Sequence, residues 1–141
     1  MAPRTRGRTN GHALRMEYCI LSPHENRRDI LIAFAQVCAT RAARNARAAK
    51  RTTSEKDYAT VNDFAVRAAQ AAACVQDAPT DVLAIHHASE AARYASEAVR
   101  AYYTLHLGKR CGEIVARDEH TRQIEELCEF LRKEIGGAPC P

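Results

Sequence analysis

The sequence predicts an all-α protein, an antiparallel up-down bundle of about four helices with a flexible basic N-terminal arm. Alanine supplies 27 of the 141 residues, and alanine has the strongest preference for helix. Apolar residues recur at three- and four-residue steps along most of the chain, which is the period of an α-helix. Pro79 and Gly108 fall at breaks between the periodic segments, and such short links favour antiparallel neighbours.

One domain accounts for the length of the chain, since single cores commonly reach about 100–150 residues. Residues 1–15 are rich in arginine and show no hydrophobic period, which indicates a flexible arm. We assign residues 16–137 to the helical bundle and residues 138–141 to a short tail. Met16 is an alternative start, and the sequence leaves that choice open.

The first two helices are defined by stripes of small apolar residues. The first is predicted from about Glu25 to Arg51, and bulky side chains at its start give way to alanine: Leu31, Phe34, Ala35, Cys38, Ala42, Ala46 and Ala49. The second begins near residue 55, where Ser54 is placed to cap it, and ends before Pro79.

The third helix is predicted to begin at Thr80 or Asp81, both good capping residues, and to stop at Gly108. Inside it a heptad repeats almost letter for letter, as ASEAARY over residues 88–94 and ASEAVRA over residues 95–101. Alanine therefore occupies both seam positions of each heptad, and a seam of small residues lets neighbouring helices approach closely.

The fourth helix is less regular. Its apolar stripe is interrupted by polar residues around Asp118 before a cleaner stripe resumes at Ile124. We therefore expect a break near Asp118, and we expect Gly136 and Gly137 to end the helix.

Composition excludes several classes of protein. No apolar run approaches the roughly 20 residues that a membrane-spanning helix needs, and the N-terminus lacks the apolar core of a secretory signal. We therefore expect a soluble, cytoplasmic protein with free thiols. Cys38, Cys74 and Cys128 fall on apolar stripes, where we expect buried and unreactive thiols.

No pattern in the sequence indicates catalysis. There is no nucleophile elbow, no glycine-rich phosphate loop and no cysteine with the neighbours of a catalytic thiol. His86, His87 and Glu90 form the most metal-like cluster, but the outward direction of His86 favours a surface role over a zinc site. We expect no enzyme activity, no cofactor and no bound metal.

The strongest charge feature is a run of basic residues at the end of the first helix: Arg41, Arg44, Arg47, Lys50 and Arg51. No acidic residue occurs between Asp29 and Glu55. At 100° per residue, the last four basic residues fall within a sector of about 120° opposite the apolar stripe. This run is the predicted partner-binding surface, and a merely solvated face is the competing interpretation. The edge formed by His86, His87 and Tyr94 on the third helix is the second candidate.

The segment from Leu31 to Ala39, LIAFAQVCA, is followed by alanine-rich helices. It resembles the opening helix of the alanine-rich immunity proteins found beside bacterial polymorphic toxins, through Leu31, Phe34, Ala35, Cys38 and Ala39. The resemblance implies a small cytoplasmic inhibitor that binds and occludes a toxin without a cofactor.

Two kinds of partner remain open at the level of sequence. Residues 1–54 carry a net charge of +8, whereas residues 55–141 carry −4, and such asymmetry is typical of proteins with a charged partner. The first interpretation is a non-catalytic inhibitor that contacts another protein, such as a toxin or another effector. The alternative is a basic helical module that contacts nucleic acid as a small subunit of a larger assembly. Self-association is also left open, and no membrane partner is expected.

Overall fold

The computed structural model describes residues 24–134, which form four α-helices joined by very short links. In chain order these are α1 (His24–Thr52), α2 (Glu55–Asp77), α3 (Asp81–Leu107) and α4 (Lys109–Glu134). The predicted all-α bundle of four helices is confirmed, and the described residues contain no strand. The predicted basic arm, the predicted tail and the glycines at 136 and 137 lie outside the described residues.

The helix ends follow from local chemistry. The Ser54 hydroxyl accepts a hydrogen bond from the backbone N–H of Asp57 at 3.2 Å, and Thr80 caps α3 in the same way. Gly108 separates α3 from α4 with a φ of +92°, and its N–H donates to the carbonyl of Thr104. That backbone conformation suits glycine because a side chain would be strained there.

The C-terminus of α2 is capped by a side chain from α1. The Arg28 guanidinium donates to the carbonyl oxygens of Val75, Gln76 and Ala78 at 2.8–3.2 Å. The same group pairs with Asp81 at the start of α3. Because the last carbonyls of a helix lack partners within the helix, one arginine here satisfies the end of α2 and ties three helices together.

The first three helices pack against one another around the alanine seam. The seam alanines of α1 and α3 are buried: Ala42, Ala46, Ala49, Ala91, Ala95 and Ala98. At the opposite end from Arg28, the Thr52 hydroxyl lies 3.1 Å from His106 Nε2, so α1 and α3 run in the same direction with antiparallel α2 beside them.

The fourth helix packs mainly on α3 and touches α1 much less. The predicted break near Asp118 is wrong, since α4 runs without interruption from Lys109 to Glu134. Glu119 and Gln123 occupy buried positions between Ala116 and Leu127, with 8% and 3% of their surface exposed. The buried stripe is therefore continuous, and its polar members made it look interrupted.

Candidate partner-binding surface

The basic residues at the end of α1 form an exposed stripe. Arg44, Arg47, Lys50 and Arg51, hereafter the basic stripe, all lie on the solvent-facing side of the helix. None of the four forms an ion pair with another residue in the described part of the chain. Their positive charges are therefore available to a partner.

Arg41 does not belong to this exposed stripe, which corrects its assignment from sequence. Its Nε and Nη2 atoms donate to both carboxylate oxygens of Glu119 at 2.6–3.1 Å, and its Nη1 atom donates to Glu126. Burial by itself would lower the pKa of Arg41, but the hydrogen bonds with these two carboxylates outweigh it and raise the pKa. Arg41 is a link between α1 and α4.

The link continues into α3 through a buried amide. The side-chain nitrogen of Gln123 donates to Glu119 Oε2 at 2.8 Å and to the carbonyl oxygen of Ala92 at 2.9 Å. It also lies 3.3 Å from Ser96 Oγ. Arg41, Glu119, Glu126 and Gln123, hereafter the polar network, therefore join α4 to both α1 and α3. Because these buried polar atoms have hydrogen-bond partners, they avoid the free-energy cost of an unsatisfied buried polar group.

The buried positions of Glu119 and Gln123 were not predicted from the sequence. The signal that could have found them is their spacing, because they continue the step of three and four residues from Ala116 to Leu127. A buried carboxylate needs a cationic partner. Arg41 is separated from Glu119 by 78 positions, however, and the spacing within α4 does not identify it.

The cysteines differ in their surroundings. Cys38 is fully buried, and burial raises the pKa of its thiol to about 12. Cys128 is also buried, as expected, whereas Cys74 is exposed and corrects the prediction made for it. Because the thiolate is the reactive form, Cys38 is held neutral and unreactive near pH 7.

The candidate edge on α3 is divided between two faces. Tyr94 packs towards α2, where its ring stacks on Phe64 with centroids 6.5 Å apart, and the guanidinium of Arg93 lies 4.4 Å from its ring centroid. His86 instead lies on the groove side of α3 and is exposed, with its Nε2 atom 3.9 Å from Glu90. His87 is half-buried beside it. Tyr94 thus already has contacts within the bundle, whereas His86 is open to solvent.

A groove of about 1130 Å³ lies between α3 and α4, with α1 beneath it. Its floor is apolar and includes Leu31, Phe34, Ile85, Ala88 and Leu127. Its rim carries the charged side chains Arg93, Glu97, Arg100, Glu113 and Arg117 together with His86 and His120. This groove was not predicted from the sequence, because it depends on the distance between α4 and α1.

Residues 24–134 contain no cluster of three or more histidine, cysteine, aspartate or glutamate side chains placed to hold a metal ion. None of the described helices combines the length and apolar character required to cross a membrane. Comparison with protein-family models, with curated proteins and with solved structures gave no match to this chain.

Proposed function

We propose that this protein is a non-catalytic cytoplasmic inhibitor that binds another protein through the basic stripe of α1. The observation that carries the proposal is the exposure of four cationic side chains with no described ion-pair partner on one rigid helix. The likeness of the Leu31–Ala39 segment to alanine-rich immunity proteins supports a toxin or similar effector as the partner.

The basic stripe is suited to an acidic protein surface for geometric reasons. Arg44 and Arg51 are seven residues apart on one helix, so their backbones are separated by about 10 Å, or two turns. Arginine presents a planar fork that matches a carboxylate with two parallel hydrogen bonds. The α1 backbone is already ordered by the alanine seam beneath it, so binding requires ordering of the side chains alone.

Nucleic acid is the second candidate, favoured by the same four cations. Their spacing on one face would allow several phosphate contacts, and such binding would weaken steeply with salt. The ring centroid of Tyr58 on α2 lies 6.0 Å from Lys50 Nζ at the end of the stripe. No aromatic residue stands between Arg44 and Arg51 in the sequence, so the stripe lacks the series of base-stacking rings of many single-strand binders. A protein partner is therefore preferred.

The test is reversal of charge at Arg44, Arg47 and Arg51 by substitution with glutamate. Tagged protein is used to capture partners from native lysate of the source cells, with and without nuclease. We expect a protein partner that survives nuclease treatment and is lost with the triple variant. The helical circular-dichroism spectrum should be unchanged, since exposed substitutions typically alter stability by less than about 0.5 kcal/mol each.

The matched control reverses three exposed cations on α4, at Lys109, Arg110 and Arg122. This control variant changes the net charge of the protein by the same amount as the triple variant, and it should still capture the partner. Loss of every partner on nuclease treatment would instead support the nucleic-acid alternative. In that case a plot of log affinity against log salt concentration for the purified complex should have a shallower slope in the triple variant, by about 0.7–0.9 for each phosphate contact removed. Equal partner capture by the triple variant and the native protein would exclude the basic stripe as the contact.

A further inference from the structure

We propose that residues 18–21 of this chain, Tyr-Cys-Ile-Leu, pack against the start of α3 and cover the exposed side chains of Val82 and Leu83. These four residues, hereafter the apolar segment, lie outside the described residues. The inference is independent of the proposed function, since the basic stripe begins at Arg44, in the second half of α1.

The surface to be covered lies at one end of the groove between α3 and α4. Val82 and Leu83 line the groove there, and they are 56% and 40% exposed. Deeper in the groove, Ile85 and Leu127 are already buried, with 8% and 5% of their surface exposed. The uncovered apolar surface is therefore concentrated at the start of α3, and a short segment is enough to cover it.

The chain enters the bundle beside this surface. α1 begins at His24, and about one turn further along, Arg28 pairs at 3.1 Å with Asp81, the residue before Val82. Leu21 precedes the first residue of α1 by three positions, and three residues of extended chain span about 10 Å. The last residue of the apolar segment is therefore within reach of the exposed pair.

The residues between the apolar segment and α1 favour a change of direction. Ser22 is followed by Pro23, and the residue before a proline is disfavoured in the helical region of the backbone. We therefore expect Ser22 to stop α1 from continuing towards the N-terminus. A segment that does not extend α1 can leave the axis of that helix and lie across its neighbour.

The composition of the apolar segment matches the surface beside it. Residues 18–21 are uncharged, whereas residues 1–15 carry four arginines. The charges around the groove balance, with three arginines against Glu90, Glu97 and Glu113. An uncharged occupant is therefore favoured, and the burial of its isoleucine and leucine against apolar surface is the main favourable contribution.

The direct test is nuclear Overhauser spectroscopy of the full chain with labelled methyl groups. We expect cross-peaks between the methyl groups of Ile20 or Leu21 and those of Val82 or Leu83, because such cross-peaks require close contact. Leu14 is the internal control, since it belongs to the arginine-rich residues 1–15 and should show cross-peaks to its sequence neighbours alone. If Ile20 and Leu21 behave as Leu14 does, the proposal is overturned.

Serine substitutions measure whether the contact stabilises the fold. Leu21→Ser and Val82→Ser should each lower the melting temperature by about 3–5 °C. The double variant should lose less than the sum, because both changes remove the same contact. Serine and valine have similar helix preference, so the change at Val82 tests packing.

The matched controls make the same substitution elsewhere. Leu14→Ser lies outside the apolar segment, and Val66→Ser removes a valine that is 44% exposed on α2. Each should change the melting temperature by less than about 2 °C. Equal shifts for Leu21→Ser and Leu14→Ser, or strictly additive effects of Leu21→Ser and Val82→Ser, would contradict the contact.

Two other occupants of the same surface are distinguished by the spectra. In a mixture of labelled and unlabelled chains, cross-peaks that join different chains would assign the surface to a second copy. Cross-peaks from Ile135, which follows the last described residue of α4, would assign it to the C-terminal residues. Either result would overturn the proposal. Neither result bears on the basic stripe, which is intact in all of these variants.

Discussion

The first three helices and the fourth are held in different ways. In α1, α2 and α3 the contact is a seam of small apolar residues, in which alanine is buried at most positions. Where α4 faces its neighbours, the middle of its buried stripe is occupied by Glu119 and Gln123. The alanine seam needs only close approach, whereas the polar network needs each donor to meet its acceptor. The position of α4 therefore depends on specific hydrogen bonds in addition to the apolar contacts of Leu127 and Leu131.

That difference bears on the groove, because α4 supplies one of its walls. If a small number of polar contacts sets the position of α4, they also set the width of the groove. The basic stripe belongs to α1 and rests on the alanine seam instead. Changes in the polar network should therefore affect the groove and spare the stripe.

The largest effect is expected from removing the buried carboxylate of the polar network. Glu119→Ala leaves Arg41 with Glu126 alone, and breaking a buried ion pair typically costs about 3–5 kcal/mol. We expect a loss of about 3 kcal/mol in the free energy of unfolding, measured by urea denaturation. Glu125→Ala, at an exposed neighbour on α4, should change it by less than about 0.5 kcal/mol.

A double variant sharpens the same comparison. Arg41→Met with Glu119→Leu replaces the ion pair by apolar side chains, and such replacements are often neutral or stabilising. We expect the double variant to recover most of the stability lost by Glu119→Ala. If Glu119→Ala is no more destabilising than Glu125→Ala, the polar network does not hold α4.

The next effect concerns the alanine seam. Ala95 is 1% exposed on α3, so Ala95→Leu forces additional atoms into a closely packed interface at a cost of about 1–3 kcal/mol. Thermal denaturation followed by circular dichroism measures the change. Ala69→Leu is the control, since Ala69 is exposed on α2. Equal melting temperatures for the two variants would show that the seam is not close-packed.

A smaller effect is expected at Gly112, where α4 passes close to α3. A Cβ atom at Gly112 would lie 2.0 Å from Thr104 Oγ1 and 2.9 Å from the carbonyl oxygen of Arg100. Gly112→Ala should cost about 1–2 kcal/mol, because crowding outweighs the gain in helix preference. Adding Thr104→Ala removes the shorter contact and should restore part of the loss. A stabilised Gly112→Ala variant would contradict this close approach.

The smallest effect is a dependence on alkaline pH. Since burial raises the pKa of Cys38 from 9.0 to about 12, the unfolded chain loses this proton at a lower pH than the folded protein. Stability is therefore unaffected below pH 9 and falls as pH rises from 9 towards 12. Relative to Cys38→Ala, the native protein should lose about 1 kcal/mol between pH 8 and pH 10. A constant difference in urea denaturation would show that Cys38 ionises freely in the fold.

The sequence predicted what depends on local chemistry. The helix caps at Ser54 and Thr80 and the stop at Gly108 follow from residues within one turn of each boundary, and all three are confirmed. The alanine stripes predicted the buried faces of α1 and α3 correctly, because the periodicity that defines a buried face is a property of a single helix.

What the sequence did not predict depends on residues far apart in the chain. The carboxylate of Glu119 can be buried because Arg41 of α1 and Gln123 of α4 donate hydrogen bonds to its oxygens. In the sequence alone these partners are not visible, so the polar residue in the stripe of α4 indicated a break in the helix. The exposed arginines of the basic stripe were placed correctly on one face, while Arg41, only three residues before Arg44, turned inward to α4. The groove arises from the spacing of whole helices, which has no signature in local sequence.

Because α3 packs against all three other helices whereas α4 packs mainly on α3 alone, α4 should open at a lower free energy than α3. Native-state hydrogen exchange measured by helix tests this expectation, because amide protons report the free energy of local opening. We expect the central amides of α3 to exchange only through global unfolding. The amides of α4 should exchange through a local opening of lower free energy. Glu119→Ala should lower that free energy further, while the central amides of α3 should still exchange only through global unfolding. If the amides of α4 and α3 report the same free energy of opening in the native protein, the four helices form one cooperative unit and the distinction between them is wrong.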